Sequence, residues 1–258
     1  MARLQRTLSN VAEESGRENG RIGVIGGSTA YPNQPALVGR AAFRTGSDHV
    51  RALVADPIYE IVAGQSPNLL VDRYAGETFD ERAVARTHEM SEWADALVIG
   101  PGLVDADPDA IRSVVDTVGV PTVVDALAIE PSLEADLSNA VLTPSGAEDD
   151  PICDAYGSLE AFSRETDAVV TLTGDVDEIV AGGDRIQNET GTSALSVAGT
   201  GDTLVGIVAS LLGQGMDRPD AAELGAWILG KTGELATAEF GPGVVATDVI
   251  ERIPDTIR

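Results

Sequence analysis

Two hydrophobic periods alternate along the chain from residue 21 onward. Short runs rich in β-branched residues stand at 22–25, 50–54, 96–99, 122–124, 140–142 and 168–172. They are apolar at nearly every position, and most are followed at once by Gly, Pro, Asp or Ser, as expected of strands buried on both faces of a parallel sheet. Residues 35–45, 107–118 and 203–212 carry apolar positions at three- and four-residue intervals, which predicts helices packed on a sheet by one face. The intervals between strands leave room for crossover helices of about ten or more residues. The expected architecture is α/β, a three-layer α/β/α fold with a central, mostly parallel sheet. Residues 1–20 are polar, charged and without a clear period, so they read as a tail or cap, and 21–258 as a single domain.

In open parallel sheets ligands bind beyond the carboxyl ends of the strands, so chemistry is expected in the turns that follow them. Those turns are Gly26-Gly27-Ser28, Gly100-Pro101-Gly102, Thr143-Pro144-Ser145 and Thr173-Gly174. The sharpest signal is Ala198-Gly199-Thr200-Gly201-Asp202, which leads directly into an apolar helix. Glycines clear Cβ atoms from the approach, successive N–H groups point into one concavity, and the positive end of the helix dipole faces a phosphate. Asp202 is either a helix cap, worth about 0.5–2 kcal/mol, or a general base that deprotonates a hydroxyl attacking a phosphoryl group. Its place behind Gly-Thr-Gly favours the base. Residues 225–232, Gly-Ala-Trp-Ile-Leu-Gly-Lys-Thr, also fit the P-loop pattern. Bulky Trp227, Ile228 and Leu229 stand where backbone would have to wrap phosphate, and 221–238 reads as one continuous apolar helix, so a buried helix is expected there instead. Such helices leave homo-oligomerisation open. The acidic runs at 134–136 and 148–150 read as solvated surface, except that Glu148, three residues beyond Ser145, is placed to orient the hydration shell of Mg²⁺.

Charge removes whole classes of function. The 258 residues hold 42 Asp and Glu against 17 Lys and Arg, a formal net charge of −25. A surface this negative repels nucleic acid and anionic lipid alike. No apolar run approaches the roughly 18 residues of a membrane span and no basic segment precedes an apolar stretch at the start, so a cytoplasmic protein is expected. Cys153 is the only cysteine and reads as a small apolar residue. His49 and His88 have no neighbours at metal-ligand spacing, and no Gly-x-Ser-x-Gly elbow is present. Lys231 is the only lysine. An acid-rich, lysine-poor surface suggests adaptation to high salt, in which repulsion is screened to about 3 Å at 1 M.

Eight marks stand in order: Ile25-Gly26-Gly27-Ser28, Ala41-Ala42-Phe43-Arg44-Thr45-Gly46, Ile99-Gly100-Pro101-Gly102-Leu103, Val124-Asp125-Ala126, Leu142-Thr143-Pro144 with Glu148, Asn188-Glu189-Thr190-Gly191, residues 199–206 from Gly-Thr-Gly-Asp onward, and Ala246-Thr247-Asp248. In this order they resemble the ADP- or ATP-dependent NAD(P)H-hydrate dehydratases of the ribokinase-like superfamily, over about 21–254. The resemblance implies repair of hydrated NADH or NADPH. An adenine nucleotide with Mg²⁺ phosphorylates the ring hydroxyl, and phosphate is then expelled to restore the reduced cofactor. By position it implies Asp202 as the base, Gly199, Thr200 and Gly201 around the phosphate, and Thr173, Gly174, Asp175, Val176 and Asp177 flanking the nucleotide. Gln34, Gly102, Ser145 and Asp202 would line the substrate side, and Glu148 would reach Mg²⁺ through water.

The chain departs from the family pattern at five places. The family usually has Gly-Ala-Pro at Asn33-Gln34-Pro35, histidine at Ser145, Lys-Gly at Thr173-Gly174, aspartate at Leu127 and histidine at Leu229. Thr173 in place of lysine removes a cation near phosphate, worth about 1.5–3 kcal/mol of binding. Gln34 adds bulk and an amide to the substrate side. Two other readings therefore stand beside the dehydratase: a kinase of another small hydroxylated molecule, for which the anion hole and Asp202 suffice, and a non-catalytic nucleotide-binding paralogue.

Overall fold

The computed structural model describes residues 20–257. The tail or cap expected at 1–20 lies, apart from Gly20, outside the described residues. The remainder folds around one nine-stranded sheet: β1 (Arg21–Ile25), β2 (His49–Ala55), β3 (Leu70–Tyr74), β4 (Ala96–Ile99), β5 (Thr122–Val124), β6 (Ala140–Leu142), β7 (Val169–Leu172), β8 (Asp177–Ala181) and β9 (Asp184–Asn188). The strand order is β3-β2-β1-β4-β5-β6-β7-β8-β9. Pairing is parallel from β3 to β7, and β8 and β9 close one edge as an antiparallel hairpin. All six expected strands are present. Ile22, Val24, Val98, Ile99, Val123 and Leu142 are fully buried in the sheet centre, which is why those segments read as unbroken apolar runs.

Ten helices cover the described sheet: α1 (Gln34–Thr45), α2 (Tyr59–Ala63), α3 (Glu81–Trp93), α4 (Pro108–Thr117), α5 (Ile129–Ser132), α6 (Asp150–Tyr156), α7 (Leu159–Thr166), α8 (Thr200–Gly213), α9 (Arg218–Phe240) and α10 (Ala246–Ile257). Helices α1, α8, α9 and α10 pack on one another as one layer, and α3, α4 and α5 belong to another. Helix α1 starts with proline in its first turn and stops at Gly46, whose φ of 116° ends the helix in the left-handed region. It lies unusually close to α8, because a Cβ on Gly206 would sit 2.3 Å from the Val38 carbonyl oxygen.

Helix α9 is continuous and carries residues 225–232 within it, as the rejection of a P-loop required. Its Leu224, Ala226, Ile228 and Leu229 are buried inside the chain itself, while Leu235 and Phe240 near its end are exposed. No helix among the described residues is long and apolar enough to cross a membrane.

Candidate active site

Helix α8 sets the geometry. A Cβ on Gly213, its last residue, would meet Ile22 and lie 3.9 Å from Ala96, at the amino-terminal ends of β1 and β4. The helix packs along β1, β4 and β5, so its first turn, with Asp202, comes out at their carboxyl ends. Gly199 is the N-cap with φ of 92°, and no side chain caps the helix. Asp202 therefore does not serve as the cap. Its half-buried carboxyl is pushed up to about 6 by burial.

Two glycine turns meet at the carboxyl ends of β1 and β4. The Gly27 N–H donates to the Pro101 carbonyl at 2.8 Å, and a Cβ on Gly26 would lie 2.3 Å from that same oxygen. At Gly102, with φ of 73°, a Cβ would fall 2.8 Å from the Tyr31 carbonyl and 3.1 Å from the Gln34 Cβ. Gln34 and Gly102, expected to line one side of the site, are thus in contact. The Gln34 Oε1 is buried and accepts no hydrogen bond within the protein, a state that costs about 1–3 kcal/mol unless a ligand satisfies it.

A second carboxylate, absent from the expected set, stands at the end of β5. Asp125 accepts a hydrogen bond from Thr143 Oγ1 at 2.7 Å, and Ala126 after it takes a left-handed φ of 50°. Gly100 makes room for it, since a Cβ there would be 1.8 Å from the Asp125 carbonyl oxygen. Burial pushes the Asp125 carboxyl up to about 7; the charges of Asp202 and Glu148 add to the rise, and the Thr143 hydrogen bond opposes it. Asp125, Glu148 and Asp202 thus share one electrostatic neighbourhood. Its signal was Val124-Asp125-Ala126, a strand-end acid that carries no distinctive spacing of its own.

Glu148 Oε2 accepts from both the Ser145 backbone N–H (2.8 Å) and Ser145 Oγ (2.7 Å), which ties the turn after β6 to itself. Ser145 also bridges to Thr173. Both residues line a cleft of about 500 Å³, together with Gly174, Asp175, Asp177, Thr200, Gly201, Leu229 and Gly230. Ser145, expected on the substrate side, therefore lies in the wall shared with Thr173. Val176 is 40% exposed and does not line the cleft, and Gly199 contributes as the cap. Asp177 shapes the turn, accepting from the Gly174 N–H at 3.2 Å and from Asn188 Nδ2 at 3.0 Å. Thr200 Oγ1 is buried without a partner.

The remaining wall, residues 190–193 and 195–197, was not expected. Its shape comes from Thr190 donating to Asn188 Oδ1 at 2.8 Å and from the Gly191 N–H donating to Glu234, which also holds Lys231 at 2.8 Å. Asn188-Glu189-Thr190-Gly191 marked this loop in the sequence, but its role depends on α9 packing behind it. Among the described residues no group of three or more His, Cys, Asp or Glu side chains is arranged to hold a metal ion. The Cys153 thiol is pushed up by burial and by neighbouring aspartates, which suits an inert residue.

The family model for NAD(P)H-hydrate dehydratases matches residues 22–255. The chain belongs to that family. It is 81% identical to the ADP-dependent (S)-NAD(P)H-hydrate dehydratase of Haloterrigena turkmenica and 71% identical to that of Natrialba magadii, in each case over the whole of both chains. It is 31% identical to the bifunctional NAD(P)H-hydrate repair enzyme Nnr of Methanothermobacter thermautotrophicus, over 93% of this chain and 50% of that protein.

Among solved structures, the fold matches the ADP/ATP-dependent NAD(P)H-hydrate dehydratase from Bacillus subtilis, co-crystallised with ATP/Mg²⁺ and soaked with CoA. The TM-score is 0.78 at 22% identity, covering 96% of each chain. It also matches a ribokinase-like superfamily protein from Enterococcus faecalis, with a TM-score of 0.83 at 20% identity, covering 98% of this chain and 93% of that one. The dehydratase family and its ribokinase-like, three-layer fold are thus those anticipated from the ordered motifs.

Proposed function

We propose that the protein is an adenine-nucleotide-dependent NAD(P)H-hydrate dehydratase that uses ADP as phosphoryl donor. The observation that carries this reading is the half-buried Asp202 carboxyl in the uncapped first turn of α8, next in the chain to Thr200 and Gly201 of the cleft wall. ADP occupies the cleft with its terminal phosphate against the first turn of α8, where backbone N–H groups and the helix dipole hold it. The hydrated nicotinamide ring lies on the Gln34 and Gly102 side. Asp202 takes the proton of the ring hydroxyl, and the oxygen attacks the terminal phosphoryl group, releasing AMP. Phosphate then leaves and the ring double bond is restored, so that hydrate and ADP yield NAD(P)H, AMP and phosphate. A carboxyl near 6 is ionised at neutral pH and basic enough for this task.

The charges of Asp202 and Glu148 are both felt at Asp125, and a hydrated Mg²⁺ needs only one or two such carboxylates when phosphates complete its shell. Glu148 would hold it through water, and the ion would neutralise charge on the phosphates. The single, unreactive thiol fits a reducing cytoplasm.

The test is recovery of reduced-nicotinamide absorbance from hydrated NADH in high-salt buffer with Mg²⁺, with ADP, ATP or no nucleotide. Nucleotide-dependent recovery that falls by about 10² or more in Asp202→Asn is expected, the usual loss for a general base. A phosphorylated product that never eliminates would identify a kinase. Stabilisation by nucleotide without turnover would identify a binding protein.

A further inference from the structure

The cleft taken above as the ADP site, a reading on which this inference rests, is short of positive charge. Its lining holds seven Ser and Thr side chains and two acids, Asp175 and Asp177, with no Lys, Arg or His. Residues 173–213, which form most of that wall and run through α8, contain six acids and a single cation, Arg185. Asp177 accepts from the Gly174 N–H and from Asn188, whereas Asp175 is exposed and forms no ion pair among the described residues.

The cations of the surrounding elements are matched by other carboxylates. Lys231 of α9 is held by both oxygens of Glu234, at 3.0 and 2.8 Å. Arg218, at the start of α9, pairs with Asp167 at 2.8 Å, and Arg185 of β9 pairs with Glu160 at 2.8 Å and with Glu178. The positive end of α8 amounts to about half an elementary charge, and Asp202 stands in the same turn. A nucleoside diphosphate therefore brings its negative charge to a wall of the same sign, on a protein whose net charge is −25. In 0.1 M salt such charges repel across about 10 Å; at 1 M the screening length falls to about 3 Å, while hydrogen bonds from hydroxyls and backbone N–H groups still act at contact.

We propose that dissolved salt supplies the counter-charge this cleft lacks, so that the protein binds ADP more tightly as ionic strength rises. A phosphate site built from lysine and arginine does the reverse, because salt competes with its cations. Nucleotide occupancy, and with it repair of the hydrated cofactor, is then regulated by the salt around the protein. The effect scales with the charge of the ligand. It grows from AMP to ADP to ATP and vanishes for adenosine, which carries no phosphate.

The experiment is calorimetric titration of the full-length protein with adenosine, AMP, ADP and ATP, without Mg²⁺, in about 0.1 M and 1 M KCl. Sucrose in both buffers holds the fold, and circular dichroism verifies it. The Kd for ADP should fall about three- to tenfold from the lower to the higher concentration, that for ATP by more and that for AMP by less, with adenosine unchanged. Tetramethylammonium chloride should act like KCl. A Kd for ADP that stays constant or rises with salt overturns the proposal. So does an equal fall for adenosine, which would trace the effect to the fold, and so does a fall in KCl alone, which would mean a bound K⁺.

Two variants locate the charge. Asp175→Asn, at an exposed position of the turn between β7 and β8, should tighten ADP binding at the lower salt concentration and leave it near wild type at the higher one. Thr173→Lys should flatten the salt dependence or reverse it. Wild-type salt dependence in both variants refutes a role for the cleft wall. Failure of the dehydratase reading looks different: ADP binds with the salt dependence described, yet no NADH is recovered from the hydrate. Failure of this inference alone leaves recovery intact, and absence of ADP binding at both concentrations refutes the two together.

Discussion

Replacing Asp202 with asparagine should abolish turnover and, at the same time, stabilise the unliganded protein. Burial raises its carboxyl from 3.8 to about 6, roughly two units at 1.36 kcal/mol each, so ionising it in the fold costs about 3 kcal/mol. The folded value lies above the unfolded one. The destabilisation is therefore absent below about pH 4, grows as pH rises, and is complete above about pH 6. The first-turn position returns about 0.3–1 kcal/mol through the helix dipole, which asparagine forfeits, so the net gain at pH 8 is about 2 kcal/mol.

For a chain of this size that corresponds to roughly 4–8 °C in melting temperature, and to about half as much at pH 5. The assay is thermal unfolding of both proteins at pH 5 and pH 8 in one salt concentration and without nucleotide, paired with turnover. Equal melting temperatures at pH 8, or a gap that does not widen from pH 5 to pH 8, would refute the claim that Asp202 is held ionised against its surroundings.

Gln34→Ala removes an acceptor with no partner in the protein, so it should leave melting unchanged or raise it while shifting KM for the hydrate and not for ADP; an unchanged KM would place the substrate elsewhere. Thr173→Lys adds a cation to the cleft wall and should tighten ADP binding about ten- to a hundredfold by calorimetry, whereas no change would mean that Thr173 faces the nucleoside instead of the phosphates. Gly100→Ala, which forces a Cβ to 1.8 Å from the Asp125 carbonyl at a φ of 126°, should lower stability by at least about 2 kcal/mol in urea unfolding; a wild-type midpoint would contradict the crowding described. The net charge of −25 should make the melting temperature rise between about 0.1 M and 3 M KCl, and a flat profile would count against adaptation to salt.

The central strands were legible because burial on both faces leaves only apolar residues, as at Val98 and Val123. Strands β3, β8 and β9 escaped notice for the opposite reason. As the edge members β3 and β9 tolerate Asp72 and Arg73, or the polar Asp184, Arg185 and Gln187, while the inner β8 offers only the short apolar Ile179-Val180-Ala181 between Asp177-Glu178 and Gly182-Gly183. The anion hole was legible because glycine, helix start and acid lie together in the five residues 198–202. Asp125 and the 190–197 wall were not, since they become part of the site only when β5 comes under α8 and when the loop is held by Glu234 of α9. The contact of Ser145 with Thr173 was not legible, because the bridge joins segments that lie 28 positions apart in sequence.

That bridge separates two inheritances within one site. The Gln34–Gly102 contact is rooted in the deepest strands of the sheet, where a single added methyl group meets backbone. The cleft across the Ser145–Thr173 seam is walled by the turn between β7 and β8, by the 190–197 loop and by residues of α8 and α9. There too the packing is close in places, since a Cβ on Gly230 would lie 2.1 Å from Thr190 Oγ1, so a substitution in that wall has to move the 190–197 loop whereas one at Gly102 has to move the turn between β1 and α1.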